Sequence, residues 1–94
     1  MAGWERHFTL EWTVESRPGG VTLRGSVTSS HSARAEPMRL LAQALDASGA
    51  VVGQRIAWVV GGVGGFQRAS FEFSDLPAAD RYRVSVWDYV FQQS

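Results

Sequence analysis

The stretch Leu76-Pro77-Ala78-Ala79-Asp80-Arg81-Tyr82-Arg83-Val84-Ser85-Val86-Trp87-Asp88-Tyr89-Val90-Phe91 decides the fold. It opens as a turn bearing Pro77 and Asp80, then becomes a strand in which Tyr82, Val84 and Val86 alternate with Arg81, Arg83 and Ser85. A Tyr at the mouth of a late strand, a few residues after a Leu-Pro turn, is the sequence form of a tyrosine corner. There the ring seals one end of a β-sandwich core and the hydroxyl bonds backbone a few residues upstream. Tyr82, Leu76 and Pro77 are therefore read as structural residues.

The alternation breaks near the end. The position after Val86 in core parity is Asp88, while Trp87, Tyr89 and Phe91 fall on the opposite face. Two resolutions are open. A β-bulge near Trp87-Asp88 would shift the parity, turning the aromatics inward and Asp88 outward. Without a bulge the three rings stand exposed. At roughly 150–250 Å² each, they would exceed the few hundred Å² of apolar patch that a soluble monomer normally shows, and would mark an interface.

Upstream, Phe8, Leu10, Trp12 and Val14 share one parity against His7, Thr9, Glu11, Thr13 and Glu15, a half-buried strand with a charged outer face. Arg17-Pro18-Gly19-Gly20 is a turn, and Val21, Leu23, Gly25 and Val27 set the inner face of a second strand, so the two form a hairpin. Ser29 to Pro37 has no periodicity and reads as a crossing loop. Met38–Leu45 is a third strand. Leu41, Ala44 and Leu45 also favour helix, but Asp46-Ala47-Ser48-Gly49 before Val51-Val52 is a hairpin turn and decides for strand. In the fourth strand Val52, Ile56, Trp58 and Val60 share a parity read as core, with Gln54 interrupting it at an edge position. Gly61-Gly62-Val63-Gly64-Gly65 is a flexible connector, and Ala69, Phe71 and Phe73 alternate in a short fifth strand.

Ninety-four residues make one domain, 1–94, with 1–5 read as a disordered or expression-derived start. The composition, 45% hydrophobic and 19% charged, is that of a globular fold. Basic and acidic residues number 9 each, so no net field attracts nucleic acid. There is no Cys, which removes disulfides, thiolate metal sites and Cys nucleophiles. No apolar run approaches the ~20 residues that span a bilayer, and the start lacks the basic and apolar regions of a signal peptide. The compartment stays open.

Each chemical candidate has a plainer reading. The Gly61–65 run lacks the helix and the Lys-Ser/Thr that a phosphate loop requires. His7, Glu11 and Glu15 lie on one strand face, but positions four apart are ~13 Å apart, too far for one metal, and Arg24 would supply an ion pair instead. His31 among Ser29, Ser30 and Ser32 lacks an oriented acid and a nucleophile turn. Asp75, Asp80 and Asp88 suit turn hydrogen bonds as well as they suit Ca²⁺. No catalytic, cofactor or metal site is expected, and the chain is read as a non-enzyme.

Three pieces together resemble the FxLyD-type, immunoglobulin-like β-sandwich modules of bacterial envelope proteins. They are Val21-Thr22-Leu23-Arg24-Gly25-Ser26-Val27-Thr28 with its mid-strand Gly, and Leu41 to Val52 with its hydrophobe-Asp-x-x-Gly hairpin. The third is the Gly-rich connector before Ala69–Phe73, followed by Tyr82–Val86. They cover about residues 21–91. The family's usual Asn after the second strand is replaced by Ser29-Ser30, and its Pro-Gly connector by Gly61–65. The resemblance implies an all-β, single immunoglobulin-like sandwich of six to seven antiparallel strands, an accessory role, and an envelope or periplasmic setting.

The expected function is a non-catalytic protein-interaction or assembly module, with a protein partner or self-association. Its working face would carry Trp87, Tyr89 and Phe91, flanked by Arg81 and Arg83, residue types that make interface hot spots. The alternative is a carbohydrate-binding module in which Trp and Tyr rings stack on a polysaccharide. With Trp12 and Trp58 assigned to the core, Trp4 and Trp87 are left for that role.

Overall fold

A computed structural model describes residues 1–93. The alternating runs become strands β1 (Phe8–Arg17), β2 (Gly20–Ser29), β3 (Ala35–Leu45), β4 (Val51–Trp58), β5 (Arg68–Leu76) and β6 (Arg81–Phe91). All pairs are antiparallel, in two three-stranded sheets ordered β1-β2-β5 and β4-β3-β6. The sheets pack as a sandwich, with β1 against β6 at one margin and β4 against β5 at the other. No helix among the described residues is long and apolar enough to cross a membrane.

Burial follows the period of two. Leu23 and Val27 of β2, Phe73 of β5, Met38 and Leu40 of β3, and Val84 and Val86 of β6 meet between the sheets and are closed to solvent. Each such side chain contributes roughly 1.5–3 kcal/mol when fully buried. Along β1 burial fades from Phe8, which is closed, to Val14, which is exposed. The Leu-rich segment 38–45 is strand despite its helix formers, and the turn after it explains why. Asp46 Oδ1 accepts the N–H groups of Ser48 and Ala50, both at 2.9 Å, so the chain reverses before a helix can propagate. Within residues 1–5, read from sequence as a disordered start, the chain enters a 3-10 turn (Trp4–Arg6) and Trp4 packs on the core.

The tyrosine corner is built as its spacing predicts. The Tyr82 hydroxyl donates to the Pro77 carbonyl at 2.6 Å, five residues upstream, and Leu76 is buried beneath it. Downstream, Val86 pairs with Leu40 and Asp88 with Arg39, although Leu40 and Arg39 are adjacent. Trp87 is therefore the extra residue of a β-bulge.

Two expectations are overturned. The first concerns β4, whose apolar set faces away from the core. Ile56 pairs with Leu41 and Trp58 with Arg39, whereas Gly53, Arg55 and Ala57 are the partners of the inward Ala44, Ala42 and Leu40. A β-carbon at Gly53 would lie 2.6 Å from the Pro77 ring, so the inner side of β4 has room only for small residues there. The second concerns the Gly-rich connector, which is packed. Val63 is 1% exposed and exchanges both backbone hydrogen bonds with Ala35, at 2.9 and 3.0 Å. Gly62 holds φ 64° with Ala35 O 2.0 Å from where a β-carbon would stand, so close backbone approach, and not mobility, explains that glycine.

Candidate functional site

The outer face of the second sheet is laid out in rows by its register. The top row is Trp58, Arg39 and Asp88, the middle row Ile56, Leu41 and Ser85, and the lower row Gln54, Gln43 and Arg83. Trp58 is 59% exposed, the most open of the four tryptophans, and Ile56 is 45% exposed beside it. Leu41 is nearly covered beneath these neighbours. Large apolar side chains set outward on a strand whose inward positions are small or charged are the informative kind of exposure.

The polar rows are internally tied. The Arg39 guanidinium sits over the Trp58 ring at 5.1 Å, while its Nε donates to Asp88 Oδ1 at 2.9 Å and its Nη2 bonds Oδ2. This hydrogen-bonded pairing holds the Asp88 carboxyl below its usual range and raises the Arg39 guanidinium further. In the lower row, Arg83 Nε and Nη2 donate to Gln43 Oε1 at 3.1 and 2.7 Å, and Gln43 Nε2 donates to Gln54 Oε1 at 3.3 Å. Such tethers order long side chains before any partner arrives and reduce the entropy that docking must remove.

The first sheet presents a different outer face. It carries Thr and Ser with ion pairs between Arg24 and Glu72 at 3.3 Å, Arg17 and Glu15 at 2.7 Å, and Arg24 and Glu15 at 3.9 Å. The Arg17 hydrogen bond, with Arg24 adding its charge, lowers the Glu15 carboxyl. Glu15 and Glu72 thus each have a cation within the chain.

The residues singled out at the end of β6 do not form one row. Trp87, 44% exposed, is the bulge residue, and the bulge turns Tyr89 and Phe91 inward, where both pack on the core. Tyr89 meets Phe8 at 4.9 Å and Phe91 stacks on His31 at 3.8 Å between ring centroids. Arg81 and Arg83 are exposed, but only Arg83 joins the polar network just described. His7 is also drawn off the charged face, edge-on to His31 at 5.2 Å. The Nδ1 of His31 accepts the Ala33 N–H at 2.9 Å, so this histidine is an organised part of the sandwich end.

Trp58 and Ile56 are the site residues that sequence reading misplaced. Parity sets them on one face, and the sequence reading takes that face as the core. The available cue was Gly53, Arg55 and Ala57 on the other parity, a set that suits a crowded or edge-facing surface better than a core. Phe66 lies between the Gly-rich connector and β5 and belongs to no alternating run. It holds φ 55°, an uncommon left-handed conformation for a Phe, and leaves its ring 70% exposed. Among the described residues no group of three His, Cys, Asp or Glu side chains is arranged to hold a metal ion.

No family model, no curated protein and no solved structure matches this chain.

Proposed function

We propose that the chain is a non-catalytic protein-interaction module that docks through the outer face of its second sheet. Trp58 and Ile56 form the contact, Leu41 its floor, and the Arg39–Asp88 pair with Arg83 its polar frame. One observation carries this reading, the outward set of β4. A strand that sets Trp58 and Ile56 toward solvent, with the small Gly53 and Ala57 on its inward parity and Arg55 exposed at its edge, is organised for a surface that becomes covered. Trp and Arg at the centre of such a face are the residue types that dominate interface energetics.

The FxLyD-type, immunoglobulin-like assignment and an envelope setting belong to the same proposal. The strand order in the two sheets and the Tyr82 corner support the first of these. Carbohydrate binding is the second reading, favoured by the open Trp58 ring beside hydrogen-bonding Gln54, Arg39 and Asp88. The aliphatic company of Ile56 and Leu41 ranks it below a protein partner.

The test is a photo-reactive amino acid placed at position 56, with one at Thr13 on the opposite face as control, irradiated in cells making the protein. Adducts with protein at 56 and not at 13 are expected. Absence of adducts at 56, or equal adducts at both positions, would sink the reading. Quenching of Trp fluorescence by a polysaccharide, lost in Trp58→Ala, would promote the second reading in its place.

A further inference from the structure

The occupant of this face follows from its pattern of charge, on the premise that the docking reading above holds. We propose that the partner is a second copy of this chain, the two second sheets packing face to face about a two-fold axis. The axis runs across the strands through the middle row, Ile56, Leu41 and Ser85.

The register supplies the argument. On β6, Arg83 lies opposite Gln43 and Asp88 opposite Arg39, so the bulge at Trp87 places the two charges at equal steps from Ser85, about 6.6 Å on either side. Rotation about the proposed axis keeps β6 over β6 and inverts the rows. Asp88 then lies over Arg83 of the partner subunit, and Arg83 over Asp88 of the partner subunit. Ile56 meets its own copy, and Trp58 covers Gln54 of the partner subunit. Asp88, held by Arg39 of its own chain, gains a second cation across the contact, the middle-row apolar residues Ile56 and Leu41 meet their own copies, and the Trp58 ring covers an amide, a pattern that is self-complementary as an isologous contact requires.

The other in-plane axis, along the strands, sets Arg39 against its own copy and pairs no opposite charges as well. Sheet packing at roughly −30° is the geometry that two twisted faces adopt. The first sheet offers no comparable surface, because its outward positions carry Thr, Ser and charged residues and no exposed large apolar side chain.

Size sets the strength. Three strands about 4.8 Å apart and eight to eleven residues long give a face of about 14 by 30 Å in projection. Two such faces bury an area at the low end of specific interfaces, where contacts are transient.

The test is light scattering on the purified chain from about 1 to 500 µM. The mass is expected to rise from 10.3 kDa toward twice that value. Ile56→Arg, which sets two like charges together on the axis, should keep the protein monomeric throughout, with an unchanged near-UV spectrum showing that it folds. The absence of native cysteine allows a second readout. Ser85→Cys should form covalent dimers with a short bismaleimide and Ser70→Cys on the first sheet should not. A monomer at every concentration, or equal cross-linking at 70 and 85, overturns the proposal. A monomer whose position 56 still captures another protein in cells overturns the second copy alone. No adduct at 56 overturns the docking face with it.

Discussion

Deleting Trp87 tests the β6 reading more sharply than replacing it. Without Trp87 the strand reads Val86, Asp88, Tyr89, Val90, Phe91, which alternates in, out, in, out, in with the orientations these residues already hold. The extra residue of a bulge disrupts the ladder locally, so its removal should let Asp88 follow Val86 as Arg39 precedes Leu40 on β3. The cost is the part of the ring that is covered. Trp87 is 44% exposed, so of roughly 150–250 Å² a little over half is buried. At about 25 cal/mol per Å² that is ~2–3.5 kcal/mol as an upper bound.

Trp87→Ala loses the same packing and keeps the bulge. The deletion should therefore match it or exceed it in stability by about 1 kcal/mol, the net scale of one recovered hydrogen bond. Urea unfolding followed by the remaining tryptophans measures both variants, and amide spectra report whether Tyr89 and Phe91 keep their core environment. A deletion variant that fails to fold, or whose Tyr89 and Phe91 move to solvent while Trp87→Ala behaves normally, would refute the assignment of Trp87 as the surplus residue.

Tyr82→Phe removes only the bond to the Pro77 carbonyl and should cost about 1 kcal/mol in urea unfolding; a neutral effect would argue against the corner as a stabilising element. Gly25→Ala has no room, since a β-carbon there would stand 1.8 Å from Glu11 O on the paired strand. It should destabilise by about 1–3 kcal/mol or more as β1 shifts, and a stability equal to wild type would contradict that geometry. Phe66→Gly relieves a left-handed conformation worth roughly 1–2 kcal/mol in a non-Gly residue, so calorimetry should find no loss of stability although a large side chain is removed. The Ser48 hydroxyl, then the Ala50 N–H, lower the Asp46 carboxyl in the folded chain. Its contribution is present above the unfolded carboxylate value of about 3.9 and is lost as pH falls through the lower folded value. Asp46→Asn should flatten the fall in thermal midpoint below about pH 4, and an unchanged acid slope would count against the turn's role.

How far the sequence reads depends on whether a position has one physical solution or two. Tyr82 after Leu76-Pro77 has one, because ring and hydroxyl must be satisfied together at a strand mouth, and the corner is legible from the spacing alone. The broken parity of β6 is also legible, since Asp88 in core parity demands either a bulge or an exposed row. Choosing between these needs the partner strand, because only the pairing of Val86 with Leu40 and Asp88 with Arg39 identifies Trp87 as extra. For β4 a hydrophobic set at period two points to a face, and the default that apolar faces turn inward gave the wrong one.

Sequence carries no information on what lies across the gap. Pro77, from the β5–β6 connection, approaches Gly53 and leaves no room for a side chain there, which fits Gly53 to the inward parity and leaves Gln54, Ile56 and Trp58 on the other. That inversion follows from the corner. The chain that holds Tyr82 in place by its Pro77 carbonyl also brings the Pro77 ring against β4. The structural element legible in the sequence thus bears on the proposed docking face that was not, since a corner seated at Pro77 fills the inner side at Gly53 and leaves Ile56 and Trp58 on the outward parity.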